Sequence, residues 1–351
     1  MTRVLVVGAG LSGCVVALEL AAGGVQVTLV EAAAAIGGKV RGYGCKATDR
    51  CNNCGLCLVS GLWDKVEGSD GIQLYLSSQL VDLVTEAEQG MGHLYTATLK
   101  TPDGAIRLEG FTHVVVATGF KPSASKIGNT SVELAGGIDG IITGSQLEAL
   151  LLERSSTGIF EIPPESIAFL QCYGSRDCRE HAQYCSRVCC GYSTRAAKVI
   201  KHYYPACKVV FFYMEIQGVN QGEHYQSLVD AGIEFIKCRP VKIAGQGQES
   251  TAIVTYDDPA LGKRVSASFD WVVLSEGISP GDKARPLSEI CGLGQDDAGF
   301  FTGGYFPGVM AVGSATGPMK IEEAYFEAVA LAKAVLRVKP AFLLIDEEAL
   351  I

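Results

Sequence analysis

Residues 3–31 have the sequence RVLVVGAGLSGCVVALELAAGGVQVTLVE, and this stretch decides the fold. The apolar runs RVLVV and QVTLVE predict two β-strands, and the alanine- and leucine-rich run between them predicts a helix. Gly8, Gly10 and Gly13 form a G-x-G-x-x-G motif at the first turn, and Glu31 ends the second strand. This combination predicts a βαβ unit that binds a dinucleotide, and the alternative is a glycine-rich turn without a cofactor.

The spacing of this motif has a physical basis. Gly8 is expected to make the tight turn, Gly10 lets the backbone approach a pyrophosphate at the helix N-terminus, and Gly13 lets helix and strand pack closely. Glu31 can accept a hydrogen bond from a ribose hydroxyl. The residues of this unit that are predicted to contact the cofactor are Gly8, Gly10, Leu11, Ser12, Gly13 and Glu31.

Three further stretches resemble the two-dinucleotide-domain flavoproteins. A Gly-Gly pair follows Glu31 in AAAAIGGKVRG, THVVVATGF ends a predicted strand, and VMAVGSATGPMKIEEAYFEAVALAKAVL predicts a strand, a glycine turn and a long amphipathic helix. The resemblance implies FAD, although Ser314 stands where these proteins usually have an aspartate, which weakens one expected hydrogen bond to the ribityl chain. The additional FAD contacts that it implies are Gly38, Lys39, Ala117, Thr118, Gly119, Gly313 and Ser314.

Composition limits the remaining function classes. The chain has 351 residues, 48% of them hydrophobic, which is enough for two compact domains. Its net charge of −9 argues against a nucleic-acid partner, because neutralising phosphates requires a basic surface. The N-terminus has no room for a signal peptide, and no run of about 18 apolar residues predicts a membrane span. A cytoplasmic location is therefore expected.

The FAD-type segments lie near both ends of the chain, so the middle is predicted to be an inserted domain. The sequence CYGSRDC stands where a pyridine-nucleotide-disulfide oxidoreductase would carry its second glycine fingerprint, and it keeps only Gly174. The predicted fold is α/β, a thioredoxin-reductase-like flavoprotein with two dinucleotide-binding domains, of which the second is an inserted Rossmann-like domain. The predicted boundaries are 1–125 with 271–351 for the FAD domain, and 126–270 for the inserted domain.

Thirteen cysteines, an odd number, favour metal ligation or redox chemistry over a disulfide framework. Four of them follow the pattern C-x12-C-x3-C-C at positions 172, 185, 189 and 190. In a continuous helix Cys185 and Cys189 would share a face and Cys190 would point about 100° away, so ligation needs a non-helical turn or an unusual geometry. The spacing is unlike zinc knuckles and suits an iron–sulfur cluster, while buried small side chains are the alternative.

Basic side chains surround this first cysteine group and would stabilise an anionic cluster. They are Arg176, Arg179, Arg187, Arg195, Lys198 and Lys201, against the acids Asp177 and Glu180.

QCYGSRD and YCSRVCCGYSTRAAK strongly resemble the motif of the A-type subunit of heterodisulfide reductase and its relatives. These proteins ligate an atypical [4Fe–4S] cluster with the same cysteine spacing beside their FAD. The likeness continues through VVFFYMEIQ, AGIEFIKCRP, WVVLSEGISP and GSATGPMKIEEAYFEAVALA, so it covers nearly the whole chain. It implies that Cys178 is a spare thiol and that the cluster ligands are Cys172, Cys185, Cys189 and Cys190.

Two features differ from the long methanogen-type subunits. No C-x2-C-x2-C-x3-C-P run of a ferredoxin-like module is present. Arg195 stands where flavin-bifurcating members of the family place a lysine, so the resemblance does not imply that this chain bifurcates electrons. The chain most resembles the A-type subunit of sulfur-oxidising heterodisulfide-reductase-like complexes. That likeness implies electron transfer between FAD and [4Fe–4S] clusters, B- and C-type partner subunits, a homodimer, and sulfur-bearing thiols as the substrate of the complex.

A second cysteine group lies in GYGCKATDRCNNCGLC, which contains Cys45, Cys51, Cys54 and Cys57. Its C-x2-C-G-x-C triplet resembles three ligands of a ferredoxin loop, so a second, less certain cluster is predicted. Two alternatives stay open: a structural zinc on the four thiols, or a self-sufficient NAD(P)H-dependent disulfide reductase that uses a Cys54–Cys57 dithiol. Single cysteines in apolar runs are predicted to be core residues, namely Cys14, Cys207, Cys238 and Cys291.

Overall fold

The structure is a computed structural model, and it describes most of the chain in two compact units. Unit 1 comprises Met1–Arg41, Gly55–Phe120 and Pro280–Ile351, and unit 2 comprises Gly42–Cys54 and Lys121–Ser279. The described residues are 2–87, 93–123, 133–135, 140–154, 158–177, 182–217, 223–246, 249–302 and 308–337.

The strands, in chain order, are β1 Arg3–Val7, β2 Gln26–Val30, β3 Ile72–Tyr75, β4 Gln79–Ala87, β5 His93–Thr101, β6 Gly104–Phe111, β7 His113–Val116, β8 Phe120–Pro122, β9 Glu133–Ala135, β10 Ile141–Thr143, β11 Ser166–Tyr173, β12 Lys208–Phe212, β13 Ile233–Ile236, β14 Lys242–Gln246, β15 Glu249–Asp258, β16 Lys263–Phe269, β17 Trp271–Glu276, β18 Ile278–Pro280, β19 Gly294–Gln295, β20 Phe301–Thr302 and β21 Val309–Ala311. The α-helices are α1 Leu11–Ala22, α2 Leu62–Glu67, α3 Gly144–Glu153, α4 Cys189–Tyr203, α5 Glu223–Asp230, α6 Ala284–Cys291 and α7 Ile321–Arg337.

Unit 1 is built on a parallel five-stranded sheet of order β21-β7-β1-β2-β3. Four of the five residues of β1 are buried, as expected for a strand in a parallel sheet covered on both faces. Helix α1 follows β1 and packs against α7. A three-stranded antiparallel sheet, β4-β5-β6, completes the unit, and its Leu99 and Phe111 share a core with Val114 of β7. The predicted βαβ unit over 3–31 is present as β1, α1 and β2.

Unit 2 contains a second parallel sheet, of order β10-β17-β11-β12-β13, and a four-stranded sheet of order β16-β15-β14-β9. Side chains of β12 alternate between two cores: Val209 and Phe211 lie in one, and Val210 and Phe212 lie in the other. Phe211 stacks on Phe169 of β11 with the ring centroids 4.7 Å apart. The order β11-α4-β12-α5-β13 is that of a Rossmann-like unit, in which α4 follows directly after the cysteine motif.

The predicted boundaries of the inserted domain stay a prediction. Strand β17, at Trp271–Glu276, pairs in parallel with β11, so the second sheet includes a strand that follows the boundary predicted at 270/271. Strands β8 and β18 pair with each other in a two-stranded sheet. No helix in the described part of the chain has the length and apolar character that crossing a bilayer requires.

Candidate functional site

The first turn of unit 1 is tightly packed on one side and open on the other. A Cβ atom at Gly8 would lie 2.6 Å from the carbonyl oxygen of Ala117, and one at Gly13 would lie 1.8 Å from the carbonyl oxygen of Gly8. At Gly10 a Cβ atom would meet nothing within 4 Å, and α1 begins after this residue without a side-chain cap. The turn therefore has the space and the uncapped backbone N–H groups that a pyrophosphate requires.

The carboxylate of Glu31 is hydrogen-bonded to the backbone at the edge of this turn. Its Oε2 accepts a hydrogen bond from the N–H of Ala9 at 2.7 Å, and its Oε1 accepts one from the N–H of Ala33 at 2.8 Å. The Gly-Gly loop lies against the same turn, because a Cβ atom at Gly38, which has φ 54°, would be 3.1 Å from Cα of Gly10. The acid, the loop and the open glycine are thus close together.

The turn at Gly313 carries a carboxylate that the sequence did not place there. Gly313 has φ 72°, and a Cβ atom on it would lie 2.1 Å from Oγ of Ser12. Its N–H donates to Oε2 of Glu327 on α7 at 2.8 Å, and burial raises the pKa of Glu327 against the effect of this hydrogen bond. Ser314 is half-buried beside it. A carboxylate from α7 therefore lies at this turn, next to Ser314.

The remaining predicted flavin contacts lie around these turns in unit 1. Leu11 and Ser12 have buried side chains, so their backbone N–H groups are the parts that can face a ligand. Ala117 is buried, Thr118 and Gly119 are half-buried after β7, and Lys39 is exposed in the 3-10 helix Gly38–Gly42. The donor set and the space fit a dinucleotide, and the assignment of these residues to FAD stays a prediction.

In unit 2, Cys172 lies at the end of β11, where strand pairing is irregular. The register between β11 and β17 shifts between Leu170 and Tyr173, and Cys172 has φ 59°. A positive φ is unfavourable for a residue with a side chain, so the backbone is strained at this cysteine. The N–H of Ser175 then donates to the carbonyl of Cys172 at 3.2 Å and closes a tight turn.

Cys189 and Cys190 are the first two residues of α4. Arg187 has φ 60°, and the N–H of Val188 closes a short turn, so the chain is not helical before Cys189. The half-buried Cys185 precedes this turn, and its sulfur accepts the N–H of Arg187 at 3.3 Å. The shared helical face that the i, i+4 spacing would imply for Cys185 and Cys189 is therefore absent, and the non-helical turn is present.

Three of the four predicted ligands are in contact. The thiol of Cys189 is hydrogen-bonded to both Cys172 and Cys190. The hydrogen bond from Cys189, helped by the charges of Arg176 and Arg239 and opposed by burial, lowers the pKa of Cys172 to about 7. The hydrogen bond from Cys189 also lowers the pKa of Cys190, whereas both contacts and burial raise the pKa of Cys189. The site thus favours the thiolate, the form in which cysteine binds metals, at Cys172 and Cys190.

Charged and polar groups surround these thiols. Nη2 of Arg239 donates to Oδ2 of the buried Asp177 at 2.9 Å, and Nη1 of Arg176 lies 3.4 Å from Oε2 of Glu215. Among the residues that the structure describes, Oγ of Ser175 is buried and makes no hydrogen bond, and Arg176 donates a hydrogen bond to the thiol of Cys172. Sulfur atoms of a cluster accept such hydrogen bonds, so the donor set fits an iron–sulfur cluster.

The described residues contain no site for a single metal ion. Across the described ranges, no group of three or more Cys, His, Asp or Glu side chains has the geometry to hold a single metal ion. Cys178 and Arg179 lie outside the described residues. The assignment of four cysteines to a cluster stays a prediction, supported by the contact among three of them.

The second cysteine group is accessible. Cys45 and Cys51 are exposed and Cys54 is half-buried in unit 2, while Cys57 is exposed in a 3-10 helix of unit 1. The sulfur of Cys51 accepts the N–H of Asn53 at 3.4 Å, within its own loop. These thiols can react with solutes, in contrast to the buried thiols of Cys172, Cys189 and Cys190. Of the predicted core cysteines, Cys14, Cys207 and Cys291 are buried and Cys238 is half-buried.

Sequence reasoning missed a buried ion pair beside Cys45. Nζ of Lys46 contacts Oε2 of Glu148 and donates to the carbonyl of Gly44 at 2.8 Å, and the two charged side chains are 5% and 8% exposed. Burial raises the pKa of Glu148, and Lys46 opposes that shift. Lys46 lies in the polar run KATDR, which does not indicate that this side chain is buried. The burial of Lys46 results from its packing against α3, which carries Glu148.

Comparison with known proteins agrees with this geometry. Residues 6–55 match the NAD(P)-binding Rossmann-like domain family. An A-type iron–sulfur subunit of the CoB–CoM heterodisulfide reductase of Methanopyrus kandleri is 25% identical over 99% of this chain and 67% of that protein. The corresponding subunit of Methanocaldococcus jannaschii is 33% identical over 56% of this chain and 33% of that protein. The chain is a homologue of the heterodisulfide reductase A-type subunits. The predicted resemblance is confirmed, and the predicted class of enzyme, an oxidoreductase, is that of these relatives.

Solved structures confirm the predicted fold class. The thioredoxin reductase of T. acidophilum has a TM-score of 0.62 at 16% identity, covering 96% of this chain and 98% of its own. The HOCl-induced flavoprotein disulfide reductase of Escherichia coli has a TM-score of 0.62 at 14% identity, covering 96% of this chain and 72% of its own. The fold is thus that of the thioredoxin-reductase-like flavoproteins. This chain spans from a third to two thirds of the length of the curated relatives above.

Proposed function

We propose that this chain is the FAD and iron–sulfur electron-transfer subunit of a heterodisulfide-reductase-like complex. The observation that carries the proposal is the contact among Cys172, Cys189 and Cys190 at the start of α4. In unit 2 this contact joins the end of β11 to the start of α4, the first strand and first helix of the Rossmann-like unit. A pyridine-nucleotide-disulfide oxidoreductase would carry its second glycine fingerprint at this place. A flavoprotein fold that has cysteine ligands in that place is suited to passing electrons from flavin to metal.

In unit 1, FAD when bound converts two-electron transfer into one-electron transfer. The uncapped start of α1 at Gly10 would receive the pyrophosphate, and Glu31 would accept a hydrogen bond from a ribose hydroxyl. Glu31 is already oriented by the N–H groups of Ala9 and Ala33. Glu327 orders the Gly313 turn, whose neighbour Ser314 would offer a hydroxyl to the ribityl chain.

In unit 2, a [4Fe–4S] cluster when bound carries one electron at a time. Cys172, Cys189 and Cys190 would ligate it together with Cys185. The turn before α4 leaves Cys185 outside the helix, so its position is not constrained by helical spacing. Arg176 and Ser175 would donate hydrogen bonds to sulfur, which stabilises the more negative, reduced form of the cluster and raises its reduction potential. The group at Cys45, Cys51, Cys54 and Cys57 is proposed as a second cluster site.

The wider role is proposed from resemblance. The similarity of QCYGSRD and YCSRVCCGYSTRAAK to the family motif supports partner subunits of the B and C types, and the likeness to sulfur-oxidising complexes supports a role in the oxidation of sulfur compounds. We further propose a homodimer in the cytoplasm. The names of the curated relatives support a heterodisulfide reductase complex as the setting.

Cofactor content tests this proposal. After anaerobic purification, we expect one FAD per chain with about four iron atoms and four sulfides for one cluster, or about eight of each for two. Cys189→Ser should lose about four irons and keep FAD. Cys207→Ser, a change at a buried cysteine outside both groups, is the matched control and should keep both. Absence of iron from the wild type would contradict the cluster assignment, and zinc in its place would support a structural zinc site.

A second candidate function follows from the accessibility of Cys54 and Cys57. A disulfide reductase needs an exposed dithiol and a nicotinamide site, and these thiols are half-buried and exposed. Rapid bleaching of the flavin absorbance by NADH or NADPH alone, abolished by Cys54→Ser, would favour this function. Under the proposed function, NAD(P)H alone leaves the flavin oxidised, because CYGSRDC lacks the second glycine fingerprint.

A further inference from the structure

The loop that carries Cys51 and Cys54 is bound to the helix that begins with Cys189 and Cys190. Nε of Arg195, on α4, donates to the carbonyl oxygen of Asn52 at 2.9 Å. Asn52 lies between the two cysteines of the C-x2-C loop, and both segments belong to unit 2. One guanidinium therefore joins the Cys51–Cys54 loop to the helix that begins with Cys189 and Cys190.

Further charged groups show how the loop runs along the helix. Lys198 feels the positive charges of Arg50 and Arg195, which add to burial in lowering its pKa. His202 is among the charges that act on Asp49, whose pKa is lowered first by a hydrogen bond from Thr48. Arg195, Lys198 and His202 are spaced i, i+3 and i+7, and so share one face of α4.

These interactions define the direction in which residues 49–52 run along α4. Asn52 is hydrogen-bonded to Arg195, the charge of Arg50 acts on Lys198, and the charge of His202 acts on Asp49, an order in which the loop and the helix run in opposite senses. Following the loop toward Cys54 therefore leads toward the start of α4. Arg195 is five residues after Cys190, about 7.5 Å along the helix axis.

The contact is built into the surrounding chain. A Cβ atom at Gly191 would lie 3.1 Å from Nη1 of Arg195, so the glycine one turn earlier leaves room for the guanidinium. Nδ2 of Asn52 donates to the carbonyl of Lys46 at 2.6 Å, which ties the loop to the buried Lys46–Glu148 pair. At the other end of the loop, Nη1 of Arg154 donates to the carbonyl of Cys45.

We propose that Arg195 is a positioning residue that fixes the Cys51–Cys54 loop on the helix bearing Cys189 and Cys190. Within unit 2, the Cys51–Cys54 loop and the first cysteine group then form one structural site, in which Arg195 sets the position of the loop relative to Cys189 and Cys190. This holds whether the second group binds a cluster, binds zinc or forms a disulfide, so its test is separate from that of the proposed function.

The test is hydrogen–deuterium exchange of the full-length chain, purified anaerobically with the cofactors it retains. Arg195→Met keeps the length of the side chain and removes the donor. It should raise exchange at the amides of 50–54 about fivefold, the expected effect of losing one hydrogen bond, and leave the amides of α4 unchanged. Arg195→Lys, which can place one N–H on the same carbonyl, should restore most of the protection.

Arg154→Met is the matched control, because it removes the arginine at the Cys45 end of the same loop. It should raise exchange at 44–47 and leave 50–54 protected. Alkylation of the chelator-treated chain gives a second measurement: Cys51 and Cys54 should react faster in Arg195→Met, and Cys189 should not. Unchanged exchange at 50–54 in Arg195→Met, or an equal rise in the loop and in α4, would overturn the proposal.

Discussion

Gly10 and Gly13 are three residues apart and have opposite surroundings. Gly13 is in contact with the backbone of Gly8, so any side chain there must displace main-chain atoms, whereas Gly10 faces open space. The motif alone predicts that both positions require glycine. Only the packing distinguishes the residue that is needed for folding from the residue that leaves room for a ligand.

Substitution of these two glycines should separate stability from flavin binding. Gly13→Ala should lower the free energy of unfolding by about 3 kcal/mol, because its Cβ would collide with a backbone oxygen. Gly10→Ala should change it by no more than about 1 kcal/mol and should lose flavin, since the methyl group occupies the side where the pyrophosphate approaches. Urea unfolding and the flavin absorbance of the purified variants are the measurements. Equal destabilisation by both variants would contradict this assignment of roles.

At the scale of elements, α4 differs from the helix that its sequence suggests. The spacing C-x3-C before Cys190 is compatible with one continuous helix, yet Arg187 adopts a positive φ and the helix begins at Cys189. Arginine is not a residue that signals a left-handed turn, so this break could not be predicted. The break leaves Cys185 outside the helix that begins with Cys189 and Cys190, so helical spacing does not set the position of Cys185.

Helix α3 begins with a capping box that the sequence alone did not reveal. The Thr143 side chain accepts from the N–H of Gln146 at 3.2 Å, and the Gln146 side chain accepts from the N–H of Thr143 at 2.8 Å. The same helix carries Glu148, the buried partner of Lys46, and is followed by Arg154. The stability of α3 therefore supports both Glu148 and Arg154, the residues that hold the loop starting at Cys45.

Loss of this cap should be measurable. Thr143→Ala should lower the free energy of unfolding by about 1 kcal/mol, because the backbone N–H of Gln146 loses its partner, and Thr143→Ser should retain most of the wild-type stability. Urea unfolding followed by circular dichroism compares the two variants with the wild type. A Thr143→Ser variant as unstable as Thr143→Ala would indicate that the methyl group, not the hydroxyl, matters here.

At the scale of the whole molecule, buried thiols couple stability to pH. Burial raises the pKa of Cys14 and of Cys291 from 9.0 to about 12, and the pKa of Cys207 from 9.0 to about 11. These thiols stay neutral in the fold while those of the unfolded chain ionise above pH 9. Their contribution is therefore fully present below pH 9 and is lost as the pH rises toward the folded-state values.

Cys291→Ala isolates one such contribution. Between pH 8 and pH 10, the free energy of unfolding of the wild type should fall by about 1.4 kcal/mol more than that of the variant, because one thiol ionises on unfolding only in the wild type. Cys291 lies outside both cysteine groups, so metal content is the same in the two proteins. Urea unfolding under reducing, anaerobic conditions at the two pH values is the measurement. An identical pH dependence in both proteins would contradict the buried, neutral thiol.

The amino-acid sequence by itself determined the βαβ unit over 3–31, the thioredoxin-reductase-like fold class and the resemblance to the heterodisulfide reductase A-type subunits. These follow from local periodicity and short motifs, which depend on neighbouring residues only. The tertiary structure alone decided that Cys189 contacts Cys172, that Glu327 accepts the N–H of Gly313, and that Arg195 donates to Asn52. Such contacts join residues from 14 to 143 positions apart, and no local pattern records which distant groups the packing of the sheets brings together.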